Sequence, residues 1–331
     1  MTELINTATQ ADWLALRKSG IGGSDIAAIL GFNRYRGAYD VWEDKTSDAA
    51  LDVKEPNDAI HFGVLLEDVV AKEFSRRTGM KVQRVNFTMK DGIRIANIDR
   101  AIVNPAISGN VSFKDGALTT DALLECKTAG FHSAWRWGPS QEDLIVKGLP
   151  VPHAEMPVEY LAQIQWYMGI TGCKTSYVAV LIGGQDYRIY RVDRDEEIIQ
   201  SLYEAADAFW QNVKAGTPPD PKTAEEAAKT WHQDNGEAVE ADNAAAAAFG
   251  ELVTLKAQAK TLADQIAEKE DQIKMAIGQN TMLTLGGNKI ATWKAGSRST
   301  INGKAILADH PEINPEKYTK ESTFRTLRIY A

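Results

Sequence analysis

Apolar residues along the chain recur with two periods, one typical of amphipathic helices and one typical of strands. The helical spacing of three and four positions covers residues 9–18, 24–30, 60–78, 157–169 and 195–214. Short apolar runs and period-two alternation predict strands over 81–89, 93–97, a segment ending near Glu125, 175–182 and 187–192. Because helices are interleaved with strands, we expect an α/β fold.

Polar residues and glycines mark the ends of these helices. Ser24 or Asp25 is a good N-cap for the second helix, and Gly31 is a natural stop. The helix over 60–78 ends at Gly79. Its expected core-facing stripe consists of Gly63, Val64, Glu67, Val70, Ala71 and Phe74. Glu67 therefore falls on the side that faces the core, either as a buried carboxylate with a partner or as a tolerated residue at the edge of the stripe.

The pattern changes after Thr217-Pro-Pro-Asp-Pro221, which resembles a linker and divides the chain into domains 1–220 and 221–331. Residues 244–277 are alanine-rich with apolar residues in 3,4 alternation, which predicts a helix with a short coiled-coil seam. Lys269 interrupts that seam, so we expect packing against its own domain or a neighbouring subunit. Residues 282–293 then predict a β-hairpin.

Composition limits the class of protein. The 331 residues are 44% hydrophobic, enough for a sizeable core. No apolar run approaches about 18 residues, and the first residues lack the features of a signal peptide, so we expect a cytoplasmic protein with no membrane segment. With only Cys126 and Cys173, the chain has no four-cysteine zinc or iron–sulfur site.

Charge is distributed unevenly. The net charge of −8 argues against a general DNA-coating protein but not against a nuclease, whose acidic site acts with cations. Residues 281–331 carry eight Lys/Arg against four Asp/Glu, including Lys317, Lys320, Arg325 and Arg328. This basic tail is a candidate surface for DNA or for another subunit.

The stretch Ala122-Leu-Leu-Glu-Cys-Lys-Thr128 carries the strongest chemical signal. Period two places Glu125 and Lys127 on one face of an otherwise apolar strand. Burying such a pair is costly unless something compensates, and a divalent cation beside Glu125 would compensate. The alternative is a surface strand with an ordinary salt pair.

Further carboxylates are candidates for the same site. Asp99 follows Ile-Ala-Asn-Ile at the point where a strand leaves the sheet, a common position for metal-binding carboxylates. Asp115 competes for that role, but it precedes Gly116 and has the pattern of a turn. Carboxylates without a His/Cys set favour a hard cation over zinc.

Other segments have the chemistry of nucleic-acid contacts. Arg17 and Ser24 flank a glycine-rich turn that leads into a helix, an arrangement suited either to a phosphate or to an ordinary helix start. Trp135-Arg-Trp137 forms an aromatic and basic loop that either stacks on bases or packs inward. Gln163 and Tyr167 lie side by side at i, i+4 on the helix over 157–169.

The order of these candidates resembles that of the PD-(D/E)xK nuclease superfamily, and within it the lambda-exonuclease and YqaJ-type phage recombination exonucleases. The resemblance covers roughly residues 12–215. It rests on Leu16-Arg17, Gly20-Ile-Gly-Gly-Ser-Asp-Ile-Ala-Ala-Ile-Leu-Gly31, Phe62-Gly-x-x-x-Glu67, Asn97-Ile-Asp-Arg100, Leu124-Glu-Cys-Lys127 and Gln163-Ile-Gln-Trp-Tyr-Met168.

This resemblance implies a restriction-endonuclease-like core, with helices flanking a mixed central sheet in the order αβββαβ, followed by a helical and β-hairpin appendage. Glu67, Asp99 and Glu125 would bind Mg²⁺ or Mn²⁺, aided by the backbone carbonyl of Cys126. Lys127 would orient or deprotonate the attacking water, and Gln163 would support the site.

The resemblance also implies how DNA is bound. Arg17 and Ser24 would hold the 5′-phosphate of the recessed strand, and Tyr167 or Gln165 would border the DNA, as would the tryptophan loop. Three subunits would close into a ring around the duplex, and a single-strand annealing protein would take up the product.

The resulting hypothesis is a metal-dependent 5′→3′ exonuclease that digests double-stranded DNA from its ends and leaves 3′ single strands. Two alternatives remain at this point. One is an endonuclease or single-strand nuclease with the same metal site, and the other is a catalytically silent DNA-binding or scaffold protein.

Overall fold

A computed structural model describes residues 2–5, 10–47, 58–231 and 233–297, together with a few isolated positions between 306 and 317. The chain divides into two compact units, the first ending at Thr230 and the second beginning at Trp231. Each unit is described by itself.

The helices, in chain order, are α1 (Gln10–Lys18), α2 (Gly23–Ile29), α3 (Ala38–Thr46), α4 (Asp58–Thr78), α5 (Glu142–Val146), α6 (Val158–Thr171), α7 (Glu196–Ala215), α8 (Ala224–Thr230) and α9 (Asn243–Ile277). The strands are β1 (Glu3–Ile5), β2 (Val82–Arg84), β3 (Thr88–Asp91), β4 (Arg94–Ala96), β5 (Arg100–Ile102), β6 (Phe113–Lys114), β7 (Ala117–Leu118), β8 (Ala122–Ala129), β9 (Thr175–Ile182), β10 (Asp186–Asp193), β11 (Met282–Leu285) and β12 (Asn288–Thr292). The five helices and the strands predicted near 93–97, 125, 175–182 and 187–192 are thereby confirmed in place.

A five-stranded mixed sheet with the order β10-β9-β8-β5-β2 forms the centre of the first unit. Neighbouring strands are antiparallel except β8 and β9, which run parallel because α6 connects them. The succession α4, β2, β5, β8, α6, β9 has the expected order αβββαβ.

Helices cover both faces of this sheet. Leu123 packs into the core that includes α2, α6 and α7, whereas the next residue, Leu124, packs into the core formed with α4. Burial on both faces explains the nearly continuous apolar run of β8. Because side chains alternate along a strand, Glu125 and Lys127 share the face of Leu123 and are directed toward α6.

The strand predicted over 81–89 is divided between two sheets. β2 pairs with β5 in the central sheet, whereas β3 joins β1 and β4 in a separate three-stranded sheet. The small hairpin β6–β7 was not predicted, since strands of two residues carry no readable period.

Two helix predictions need correction. α2 begins at Gly23 with Gly22 as its N-cap, not Ser24 or Asp25, and the Asp25 carboxylate accepts the Gly22 N–H at 3.1 Å. On α4 the buried stripe consists of Val70, Ala71 and Phe74 only. Val64 is 65% exposed, so the stripe does not extend toward the start of the helix.

The first unit continues past residue 220, where the proline-rich stretch predicted its end. α8 follows that stretch, and its Glu226 is buried against the start of α3, where it accepts the Ala38 N–H at 3.0 Å. Lys229 of α8 also pairs with Asp40 at 2.8 Å. These contacts place α8 in the first unit.

The second unit contains the predicted helix and hairpin. α9 runs for 35 residues, and β11 and β12 pair antiparallel across Gly286-Gly287. Lys320, Arg325 and Arg328 of the basic tail lie outside the described residues. Among the described residues, no helix combines the length and apolar character that a membrane crossing needs.

Candidate functional site

The middle of β8 places an acid and a base side by side beneath α6. The Lys127 ammonium lies 2.6 Å from Glu125 Oε1, and Glu125 is almost fully buried. Burial opposes the charge of Lys127, but the carboxylates of Glu125 and Asp99 outweigh it and raise the Lys127 pKa. Lys127 therefore stays an ammonium, and Nζ also lies 4.9 Å from the Tyr160 ring centre.

Gln163 on α6 joins this pair to Tyr167. Its amide oxygen accepts from Lys127 Nζ at 3.1 Å, and its Nε2 donates to Glu125 at 2.9 Å. Nε2 also lies 3.0 Å from the Tyr167 hydroxyl, as the i, i+4 spacing predicts. Enclosure, and then the charge of Glu125, raise the Tyr167 pKa, so the phenol remains protonated.

Asp99 lies directly before β5, at the point where β8 extends past its pairing with β5 and stays paired with β9 alone. β5 pairs with β8 only through Leu123 and Leu124, and the Cys126 N–H donates instead to Asp99 Oδ2 at 2.9 Å. Enclosure of the carboxyl group, followed by the charge of Glu125, raises the Asp99 pKa to about 8. Two acidic groups thus compete at this point for a single ammonium.

Glu67 lies next to this cluster but is held by a different partner. The Arg100 guanidinium binds Glu67 and Asp68 of α4 and donates to the Asp99 carbonyl oxygen at 2.6 Å. Arg100 is 4% exposed. Arg100 was not among the predicted site residues, although an arginine that begins an otherwise apolar strand is a signal of a buried ion pair.

The predicted carboxylates are therefore only partly brought together. Asp99 and Glu125 interact with each other and with Lys127, whereas Glu67 is engaged by Arg100. Across the described part of the chain, no group of three or more His, Cys, Asp or Glu side chains is arranged to hold a metal ion. Asp115, the competing candidate, is an exposed residue with φ of 52° in the β6–β7 turn.

A small polar cavity of about 170 Å³ lies on the other side of Tyr167. It is lined by Trp13, Arg17, Gly22, Gly23, Ser24, Asp25, Ile95, Asn97 and Tyr167. Its volume equals roughly five water molecules, which is sufficient for a phosphate group. The structure therefore brings Arg17 and Ser24 together, and Tyr167 and Gln163 connect their cavity to Glu125.

Positive charge predominates around this cavity. Asp25 is 2% exposed and pairs with Arg36 at 2.7 Å and with Lys45 at 2.8 Å, while Arg17 lies 3.8 Å away. Lys45 also donates to the Arg17 carbonyl oxygen at 2.6 Å, which fixes the end of α1. Arg36 also pairs with Asp44, so three cations face two carboxylates, which leaves one net positive charge beside the cavity. From the sequence, Asp25 was predicted only as a helix N-cap.

The residues predicted to border DNA have different environments. Gln165 is 1% exposed and bonds the Asp193 carbonyl oxygen and the Asp195 N–H, so the prediction for it was wrong. The prediction for Trp137 was also wrong, because this residue is buried and stacks on Tyr160 at a centroid distance of 5.5 Å. Trp135 is 81% exposed and available to a ligand.

The fold and the site together define a mixed α/β protein in which a central strand carries a buried acid–ammonium cluster beside a cationic cavity. The chain belongs to the YqaJ-like viral recombinase family. Residues 12–174 match the family described as YqaJ-like viral recombinase domain. The chain is also 32% identical over 329 residues to the protein YqaJ of Bacillus subtilis (strain 168), covering 96% of this chain and 93% of that protein.

Two solved structures show a more distant similarity. The alkaline exonuclease LHK-Exo from Laribacter hongkongensis is 19% identical with a TM-score of 0.41, over 62% of this chain and 94% of that one. A phage-related exonuclease from Haemophilus somnus 129PT is 12% identical with a TM-score of 0.40, over 59% of this chain and 94% of that one.

Proposed function

We propose that this protein is a metal-dependent 5′→3′ exonuclease that digests double-stranded DNA from its ends and leaves 3′ single strands for recombination by annealing. Membership of a viral recombinase family supports a role in recombination. The observation that carries the proposal is the position of Gln163. Its hydrogen bonds link the Glu125–Lys127 pair to Tyr167 and so to the cationic cavity. A terminal phosphate and a scissile phosphodiester would then be bound side by side.

The acidic residues fit a Mg²⁺ or Mn²⁺ ion. Asp99 and Glu125 supply the oxygen donors that a hard cation prefers, and Asp99 is held beside β8 by the Cys126 N–H. These two residues, with the Cys126 carbonyl, would hold the ion, and Glu67 would join them on releasing Arg100. A bound ion would supply positive charge to the oxygens of the scissile phosphate.

Lys127 and Gln163 have separate tasks in this proposal. The Lys127 ammonium faces the site and would orient the attacking water and neutralise charge on the phosphate. Gln163 donates to Glu125 and accepts from Lys127, so it sets the position of both. Hydrogen bonds to Gln163 and Glu125 keep Lys127 from rotating toward solvent.

The cavity would define polarity. An Arg17 guanidinium and a Ser24 hydroxyl bind a terminal phosphate by charge-assisted hydrogen bonds, which an internal phosphodiester in a duplex cannot reach in the same way. Binding the 5′-phosphate there would place the next linkage at Lys127. The exposed Trp135 would border the DNA, whereas Tyr167 is buried, at 7% exposed, and would meet the DNA only through the phosphate cavity that it lines.

The assembly is part of the proposal. A ring of three subunits would enclose the duplex and make digestion processive, and a single-strand annealing protein would receive the 3′ strand. The basic residues 281–331 are candidates for either contact.

Linear duplexes labelled at the 5′ or 3′ end, with either 5′-phosphate or 5′-hydroxyl termini, test the proposal. In Mg²⁺ the wild type should release the 5′ label first and prefer phosphorylated ends. Arg17→Ala should lose that preference, by roughly 10-fold or more, because a charge-assisted hydrogen bond contributes about 1.5–3 kcal/mol. Arg191→Ala, which removes a half-exposed arginine of β10, is the matched control.

Three results would count against the proposal. If an Arg17→Ala variant still prefers 5′-phosphorylated ends, the cavity does not bind the terminal phosphate. Cutting of a covalently closed circle would favour an endonuclease. Negligible digestion by both wild type and Lys127→Ala in Mg²⁺ would favour the silent scaffold.

A further inference from the structure

One face of α9 exposes a row of large apolar side chains. Leu255, Leu262, Ile266 and Ile273 are between 42% and 59% exposed. Among the described residues of α9, Ile277 is buried, at 2% exposed, where it packs near β11, and Leu252 near the start of the helix is partly covered. A row of this kind in water is typical of a helix that pairs with another helix.

The spacing of the row is that of a coiled coil. Its positions, three and four residues apart in alternation, are Leu252, Leu255, Ala259, Leu262, Ile266, Lys269, Ile273 and Ala276. They span about 37 Å of helix at 1.5 Å per residue. Seven of these eight residues are apolar, and the exception, Lys269, determines which pairing is possible.

A parallel pair of identical helices is disfavoured by Lys269. In such a pair each seam residue faces its own copy, so two ammonium groups would meet in the apolar seam. Like charges in a poorly hydrated position repel strongly.

An antiparallel pair removes this conflict. When Leu262 faces Ile266 of the other helix, Leu255 faces Ile273, and Lys269 faces Ala259. The small alanine leaves room for the lysine stem to lie along the seam while its ammonium reaches water. The large residues then pair with one another on both sides of a two-fold axis near residue 264.

The same register also matches charges beside the seam. Lys256 directly follows Leu255 and Glu270 directly follows Lys269, so in this register both lie between the same two seam layers, Leu255–Ile273 and Ala259–Lys269. In the antiparallel pair Lys256 of one helix therefore lies opposite Glu270 of the other, and the symmetry makes this contact twice. Both side chains are exposed in their own chain, so both charges are accessible to a second helix.

We propose that α9 pairs antiparallel with α9 of a second copy of this chain, in the register that places Leu262 against Ile266 and Lys256 against Glu270. The contact is a self-complementary two-fold interface, which closes at two chains per contact. It is independent of the proposed nuclease activity.

Sedimentation of the full chain over a range of concentrations tests this pairing. Lys256→Glu and Glu270→Lys should each place like charges opposite one another twice and reduce the molar mass by half. The double variant, Lys256→Glu with Glu270→Lys, restores opposite charges and should regain the wild-type mass. Because both residues are exposed, circular dichroism should show the same helix content in all forms.

Matched controls lie on the same helix outside the seam. Lys260→Glu and Asp264→Lys make the same charge changes away from the contact and should leave the mass unchanged. A wild type with the mass of one chain would overturn the proposal, as would single variants of unchanged mass. If the single variants dissociate but the double variant does not reassociate, another register or another partner covers the face, and the proposal is equally overturned.

Discussion

At the scale of single residues, the unusual feature is a buried carboxylate among three cations. Asp25 pairs with Arg36 and Lys45 and lies near Arg17. Burial opposes its charge, but Lys45, Arg36 and Arg17 outweigh burial and lower the Asp25 pKa from 3.8 to about 2. Asp25 holds together the three cations beside the cavity.

Replacement of Asp25 should therefore destabilise the protein in a pH-dependent way. Asp25→Asn leaves the buried Lys45 without its carboxylate partner, while Arg36 keeps Asp44, and this should lower the free energy of unfolding at neutral pH by about 3–5 kcal/mol. Because the folded-state pKa is depressed, the stabilisation by wild-type Asp25, about 2 kcal/mol, is present above pH 4 and lost as the pH falls toward 2. The variant should lack this component.

Urea denaturation at several pH values between 2 and 7 measures the difference. Asp207→Asn is the control, because Asp207 is 54% exposed and its pair with Arg94 should contribute at most about 1 kcal/mol. Equal stability of wild type and Asp25→Asn at pH 7, or a difference that grows as the pH falls, would contradict this explanation.

Residue types and spacing predicted much of the site. Period two on β8 placed Glu125 with Lys127, and the i, i+4 spacing on α6 placed Gln163 with Tyr167. The partners of Asp25 could not be predicted, since Arg36 lies in the loop after α2 and Lys45 lies near the end of α3. Trp137 and Gln165 were wrongly predicted to border DNA, because polar or aromatic character does not reveal whether a residue is buried.

At the scale of elements, the site depends on a close approach between α2 and α6. A Cβ at Gly23 would lie 2.8 Å from Gln163 Cγ and 2.8 Å from Tyr167 Cε1. Only glycine allows α2 to carry Ser24 this near to the residues that hold Glu125 and Lys127.

Gly23→Ala should accordingly displace Gln163 and Tyr167. We expect a loss of about 1–3 kcal/mol in the free energy of unfolding, as for other overpacked interiors, and a fall in the rate of DNA digestion. The neighbouring Gly22→Ala is the matched control, since its Cβ would meet only Asp25 Oδ2, at 3.7 Å. If thermal unfolding and digestion assays show the two variants to be alike, α2 and α6 are not in the contact described.

Element boundaries were predictable where local signals decide them. Asp195 caps α7 and Gly216 ends it, as their residue types indicate. Local signals did not predict two other features, the division of residues 81–89 between two sheets and the exposed start of α4. Both depend on distant segments, which supply the pairing strands and cover the helix.

At the scale of the molecule, the proline-rich stretch before α8 is not the end of the first unit. Glu226 accepts the N–H groups of Ala38 at 3.0 Å and Lys222 at 2.7 Å. The sequence of residues 217–221 has the composition of a linker, and only the long-range contact with α3 shows that the next helix returns to the same unit.

Shortened chains should show this difference. A chain that ends at Thr230 should be more stable than one that ends at Asp220, by about 1–3 kcal/mol, because the shorter chain lacks the Glu226 and Lys229 contacts. Chemical denaturation of both chains provides the comparison, with Glu226→Ala in the longer chain as an intermediate case. If the two chains have the same denaturation midpoint, α8 does not stabilise the first unit, and the boundary lies at residue 220 as predicted.

The proposed nuclease site consists of Asp99, Glu125 and Lys127, and the rate of nucleotide release from linear duplex DNA, with and without Mg²⁺, tests it. Wild type and Asp115→Asn, which alters an exposed turn, should digest the duplex at the same Mg²⁺-dependent rate. Asp99→Asn should reduce the rate by roughly 100-fold or more, since it removes a carboxyl oxygen that a divalent cation would bind. Digestion by Asp99→Asn at the wild-type rate, or digestion by the wild type in a chelator, would contradict the account.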